Sequence, residues 1–154
     1  MDLADLLDEK SVVGSLRAPT KKQALQALAE KVAAVSTLDE RQVFEALLQR
    51  ERLGSTGVGH GIAIPHAKLA GAPRIIGVFA RLERPVDFEA LDDEPVDLVF
   101  VLIAPESAGA DHLKALARVA RVLRDPAVGN KLRGTSDPTA LHTILTSTVQ
   151  PNAA

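Results

Sequence analysis

Two of the four histidines in this chain of 154 residues lie in one stretch, Gly54-Ser-Thr-Gly-Val-Gly-His-Gly-Ile-Ala-Ile-Pro-His66-Ala-Lys68, which also holds four of the ten glycines. The run Ile62-Ala63-Ile64 reads as a short strand. Pro65 ends it, because proline has no N–H for a ladder. His66 is thereby expected at a strand end, its ring presented at a rigid turn. A neutral imidazole, with an ordinary pKa of ~6.5, carries a free lone pair at pH 7 and can attack phosphorus. Gly54, Gly57, Gly59 and Gly61 allow backbone N–H groups to come close to an anion. Ser55, Thr56 and Gly57 are therefore candidate phosphate-binding residues, and both hydroxyls also suit ordinary turn positions.

Residues elsewhere in the chain could serve the same chemistry. His112 shares a helical face with Leu116, Val119 and Leu123, so it points inward near a helix N-terminus, where backbone N–H groups favour anions. A neutral His112 could donate a ring N–H to a phosphoryl oxygen on His66, or could simply be a satisfied core histidine. Arg50, at a helix C-terminus, offers a planar fork for phosphate oxygens, with Arg52 as its competitor. His60 reads as a loop residue that could flank the site, and His142 as a surface residue. Lys114, Arg118 and Arg121 recur at helical spacing as a solvated face or a docking stripe. Leu53, Val58 and Ile62 or Leu69 are candidates for an apolar rim around His66.

The order of elements excludes two familiar phosphate loops. No Gly-Lys-Ser/Thr ending is present, so there is no P-loop. A dinucleotide fingerprint runs strand, glycines, helix, whereas here a helix precedes the glycines and a strand follows.

The segment from Arg50 through Gly54-Ser-Thr-Gly to Pro65-His66 resembles the active-site segment of the phosphotransferase system EIIA proteins of the fructose/mannitol/nitrogen family. The likeness continues through Arg84–Phe100 and Asp111-His112-Leu113-Lys114, and spans roughly Leu3 to Leu145. Ala67 stands where the family often has glycine, and Asp93 replaces the glycine of an Asp-Gly turn. The resemblance implies His66 as phosphoryl acceptor at its tele nitrogen, with His112 as hydrogen-bond partner and Arg50 as the cation. It also implies an HPr-like phosphocarrier as donor, no cofactor and no metal. The chain looks most like the nitrogen type, in which phosphorylation state governs binding to regulated target proteins. In the sugar-transport alternative the group passes to an EIIB domain. A different class, a histidine metal or structural domain using His60, His66 and His112, would call for a carboxylate and tighter ligand spacing.

Composition narrows the field further. A net charge of −2 and four Phe with no Trp or Tyr argue against nucleic acid and against direct sugar stacking. Without cysteine there are no disulfides, thiolate metal sites or cysteine phosphocarrier step. The acidic start Met1-Asp-Leu-Ala-Asp is unlike a signal peptide, and no apolar run approaches the ~20 residues of a membrane span. A cytoplasmic protein with no membrane insertion is expected.

Around the site, residues 3–7 read as a helical turn and Val12–Leu16 as a strand interrupted by Gly14. Thr20 with Gln23, and Thr37 with Glu40, read as capping boxes opening two helices. Their stripes are Leu25, Leu28, Ala29, Val32, Val35 and Val43, Phe44, Leu47, Leu48. Arg74–Leu82 and Val96–Ala104 read as strands buried on both faces, joined by an acidic loop or loose hairpin arm at Glu83–Pro95. Helices follow from about Asp111 to Arg124, from Asp125-Pro126, and from Asp137-Pro138 to near Thr146. Length and element order predict one domain over 1–147, an α/β three-layer α/β/α sandwich with a mixed β-sheet flanked by helices, and a flexible tail at 148–154.

Overall fold

A computed structural model describes residues 2–147. The tail expected at 148–154 lies outside the described residues.

Among the described residues there are six strands and six α-helices, numbered in chain order, with two short 3-10 turns at Glu9–Ser11 and Glu106–Ala108. Helix α1 is Leu3–Leu6, strand β1 Val12–Leu16, helix α2 Lys21–Ala34 and helix α3 Glu40–Leu53. Strands β2 (Gly57–Gly59), β3 (Ile62–Ala63) and β4 (His66–Lys68) follow, then the long strands β5 (Ile76–Val86) and β6 (Val96–Ala104). Helices α4 (Ala110–Arg124), α5 (Pro126–Arg133) and α6 (Pro138–Thr146) close the described chain.

The helix starts are set by side chains that satisfy otherwise orphaned N–H groups. Thr20 Oγ1 accepts the Gln23 N–H at 3.1 Å. At α3 the cap is Asp39, which accepts the Gln42 N–H at 3.0 Å, rather than the expected Thr37. Aspartate closes that turn two residues later, which shortens the helix from its N-terminal side. Asp125 and Asp137 cap α5 and α6, each with proline in the first turn.

One mixed sheet runs in the order β1-β5-β6-β3-β2, with β4 also paired to β6. β5 and β6 are antiparallel, while β1 lies parallel to β5, and β3 and β4 lie parallel to β6. The apolar runs of β5 and β6 are buried on both faces because helices cover both. Val78, Ala80, Val99 and Val101 pack with α2 and α3. Phe79, Leu98, Phe100 and Leu102 pack with α1, α4, α5 and α6. The three-layer α/β/α sandwich with a mixed sheet is what the element order predicts.

Strand β5 begins at Ile76, not Arg74, and runs on through Pro85 to Val86, past the expected end at Leu82. Proline is accommodated because the β5–β6 register shifts between Arg81 and Val86, so its missing N–H interrupts no regular pairing. The rest of the connection is anchored by Phe88 and Ala90, 0% and 4% exposed. Asp93 there adopts φ 61°. This is the left-handed region, which aspartate tolerates better than most residues.

Candidate functional site

Proline 65 shapes the setting of His66. β3 pairs with β6 through Ile62 and Ala63, and pairing resumes when the Pro65 carbonyl accepts the Leu102 N–H at 3.0 Å. His66 is therefore the first residue of β4, opposite Leu102, and not the residue after a terminated strand. Proline lacks a donor but keeps its carbonyl, so the ladder skips and continues. In the gap, the Ile64 carbonyl lies 2.7 Å from His66 Nδ1. A carbonyl only accepts, so Nδ1 carries the proton and Nε2 the lone pair. The tautomer follows from a backbone atom.

His66 is half-buried and borders an open cleft of about 610 Å³. Arg50, Arg52 and Leu53 from α3, Lys68 from β4 and His112 from α4 line it as well. Burial pushes the His66 pKa down, and the Arg50 guanidinium adds to this, against the Ile64 carbonyl and Glu51. The ring is neutral at pH 7. Arg50 Nη1 donates to the Gly54 carbonyl at 2.9 Å, which steadies the guanidinium at the end of its own helix. Arg52, its competitor in the sequence, lines the same cleft.

His112, the third residue of α4, is 6% exposed. Its ring lies 5.6 Å from that of His66, centroid to centroid, tilted by 50°. Burial lowers its pKa, helped by the Lys68 charge and by repulsion from His66 whenever that ring is protonated. Nδ1 of His112 is buried and has no hydrogen-bond partner among the described residues. An unpaired N–H costs more there than an unpaired lone pair, so the proton belongs on Nε2.

The glycine stretch builds a hairpin rather than an open cradle. β2 and β3 are antiparallel around His60 and Gly61, whose φ values of 59° and 77° fit a two-residue turn with both central residues left-handed. Ser55 Oγ donates to the Phe88 carbonyl at 2.5 Å and accepts the Gly57 N–H at 3.0 Å. Thr56 is 4% exposed; its N–H and hydroxyl both go to Glu51, at 2.9 and 2.6 Å. Ser55, Thr56 and Gly57 thus spend donors within the chain and do not line the cleft.

The other expectations divide. His60 precedes Ile62, which pairs with Leu98, four residues along β6 from the Leu102 partner of His66, about 13 Å at ~3.3 Å per residue. Among the described residues no three His, Asp or Glu side chains converge as metal ligands. His142 is half-buried, and its Nε2 lies 2.9 Å from the Leu7 carbonyl, so it ties α6 to the N-terminal segment instead of facing solvent. Of the expected rim, Leu53 is 85% exposed, but Ile62 and Leu69 are core at 1% and 8%. Leu113, next to His112, is 67% exposed and is the apolar group that sequence reasoning missed. Lys114 and Arg121 are exposed, while Arg118 lies 3.8 Å from Asp2. Glu51 and Lys68 were also overlooked as parts of the site, though a carboxylate beside Arg50 and a lysine two residues after His66 were visible. No helix among the described residues is long and apolar enough to cross a membrane.

Comparison with known proteins gives the family of the chain. Residues 5–148 match the family described as "Phosphoenolpyruvate-dependent sugar phosphotransferase system, EIIA 2". A nitrogen regulatory protein of Bradyrhizobium diazoefficiens is 55% identical over 145 residues, covering 94% of this chain and 95% of that one. The crystal structure of nitrogen regulatory protein IIA-Ntr from Neisseria meningitidis superposes with a TM-score of 0.88 at 35% identity, over 94% of this chain and 99% of that chain. The fold also recurs in the complex of enzyme IIAMTL with phosphorylated enzyme IIBMTL from Escherichia coli, at TM-score 0.76, 23% identity and coverage of 90% and 96%. With its match running nearly end to end, the chain belongs to the EIIA 2 family of the phosphoenolpyruvate-dependent sugar phosphotransferase system.

Proposed function

We propose that the chain is a phosphocarrier that accepts a phosphoryl group on His66 Nε2 from the phosphohistidine of an HPr-like protein. The observation that carries this is the 2.7 Å contact between His66 Nδ1 and the Ile64 carbonyl, which leaves the Nε2 lone pair on a ring bordering the cleft. In the transfer the Nε2–P bond forms as the donor's N–P bond breaks, and the donor imidazole recovers its lone pair. No proton has to move. The Nδ1–H stays on the Ile64 carbonyl, which stabilises the positive charge the ring acquires. Position and charge stabilisation supply most of what phosphoryl transfer needs from a protein. Arg50 and the Nε2–H of His112 meet the phosphoryl oxygens, with Lys68 as a further cation.

The phosphorylation state then regulates binding of target proteins, as suggested by the likeness to nitrogen regulatory proteins. Exposed Leu53 and Leu113 beside Arg50 and His112 give a partner apolar surface to rest on. Onward transfer to an EIIB domain is the second reading, favoured by the same fold in a IIA–IIB complex.

Intact mass after incubation with phosphoenolpyruvate, enzyme I and an HPr-type carrier tests the carrier role. One acid-labile phosphoryl group on the wild type and none on His66→Ala is expected. An unmodified wild type with cognate carriers would overturn it. Addition of an EIIB domain separates the two fates, since only the transport reading requires the group to leave His66 at a catalytically useful rate.

A further inference from the structure

We propose that Glu51 is the residue that positions the His66 imidazole, through a run of hydrogen bonds from α3 to the Ile64 carbonyl. This rests on the phosphocarrier reading for its consequence but not for its geometry.

Glu51 is 6% exposed, in the last turn of α3 beside Arg50. Its Oε1 accepts the Thr56 hydroxyl at 2.6 Å. Its Oε2 accepts the Thr56 N–H at 2.9 Å and faces Lys21 Nζ at 3.3 Å. The Thr56 carbonyl in turn accepts the Ile64 N–H at 3.0 Å. The Ile64 carbonyl then lies 2.7 Å from His66 Nδ1. Each link fixes the backbone segment that makes the next, so the acceptor that sets the tautomer is located by a carboxylate two segments away. Arg50 and Glu51 share one helical turn, so the same turn holds Gly54 at the loop entrance and Thr56 two residues on. The cation that meets phosphate and the frame that orients the nucleophile are built together.

A merely structural carboxylate would not need a charge at this depth. A buried carboxylate is costly unless paired and fully hydrogen-bonded. Lys21 supplies the pairing from the first residue of α2, a position where the helix dipole disfavours a cation. Its ammonium also reaches the Phe88 carbonyl at 3.5 Å and Glu89 at 2.9 Å. Its pKa is raised: burial opposes this, and the two glutamates outweigh it. An ion pair in an unfavourable place that ends on the loop of the nucleophile is better explained by positioning than by stability.

The test uses Glu51→Gln, which keeps the side-chain shape and removes the charge, and Glu51→Ala, which removes every acceptor. Two readouts are taken on the full chain: the ¹⁵N chemical shifts of the His66 ring, and the single-turnover rate of phosphorylation by a phosphorylated HPr-type carrier. Wild type should be nearly all Nδ1–H. Both variants should populate the Nε2–H form, with the rate at saturating donor falling about 10-fold in Glu51→Gln and ~100-fold in Glu51→Ala, as expected when a reacting group is misplaced. Half-saturation by the donor should change little. Wild-type ring shifts in both variants would overturn the proposal, whatever the rate, because a loss would then come from charge or docking. Should Glu51→Ala fail to fold, Glu51→Gln still decides. Were the wild type to accept no phosphoryl group, the carrier reading would fall while the ring shifts still tested Glu51.

Discussion

The imidazoles of His66 and His112 lie 5.6 Å apart at 50°, one on the first residue of β4 and the other in the first turn of α4. Both rings border the same cleft, where a phosphoryl group on His66 would stand beside His112. With Nδ1 of His112 buried and unpartnered among the described residues, Nε2 is the atom that can donate. His112→Ala should slow single-turnover phosphorylation about 10–100-fold, the usual effect of removing one donor to developing charge. Half-saturation by the donor protein should hold. His112→Gln, whose amide N–H can stand near the place of Nε2–H, should recover part of the loss. Equal defects in the two variants would deny the hydrogen bond.

Arg50 carries a second, separable expectation. Its guanidinium lowers the His66 pKa, second only to burial among the lowering effects. Arg50→Gln should therefore raise that pKa in an NMR titration of the ring, while reducing the rate of phosphoryl acceptance by about 10-fold or more through lost charge stabilisation. A slower rate with an unmoved pKa would place the guanidinium away from the imidazole in solution.

Both site histidines also make stability depend on pH. Their folded pKa values lie below the ordinary 6.5, burial being the leading cause for each. Between those values the unfolded chain binds more protons than the folded one, so stability rises with pH. The full contribution is present above pH 6.5 and is lost as pH falls from there toward the folded values. Thermal melts of wild type should weaken on acidification from pH 7.5 to 5 more steeply than melts of His112→Gln. Equal slopes would mean that His112 takes up protons in the fold as readily as in the unfolded chain.

Much of the fold could be read ahead because its signals are local. Asp125-Pro126 and Asp137-Pro138 mark helix starts that the structure keeps. The nearly continuous apolar run at Val96–Ala104 marks the central strand to the residue. At the candidate site the sequence singles out His66 and inward-facing His112, whose ring centroids the fold brings to 5.6 Å of each other. The site was not legible where the partner is a backbone atom or a distant side chain. Ser55 and Thr56 look like phosphate donors until Phe88 and Glu51 are brought to them by the fold. His142 looks unpartnered because its acceptor, the Leu7 carbonyl, is 135 residues away. Ile62 and Leu69 belong to the core because the sheet turns them inward, which a count of apolar residues near His66 does not reveal.

Gly14 shows the same limit and gives the last expectation. In the sequence it reads as an interruption of β1, a residue that weakens a strand by having no side chain. In the structure β1 runs through Gly14, where its pairing with β5 shifts register between Val13 and Leu16, and a Cβ there would overlap the carbonyl oxygen of Ser136, just before α6. The glycine is needed for close approach of two backbones, which is a tertiary property. Because the obstructing atom belongs to main chain and not to a flexible side chain, relief requires moving the α6 N-terminus away from the sheet. Gly14→Ala should therefore destabilise the protein by about 1–3 kcal/mol or more, in the range of overpacked cores, despite alanine's lower chain entropy in the unfolded state. Denaturant unfolding measures it directly. Gly71→Ala is the useful comparison, since among the described residues nothing stands within 4 Å of its Cβ and only its φ of 95° resists the change. A larger loss at Gly71 than at Gly14 would show that backbone conformation, and not the approach of α6 to β1, sets the cost.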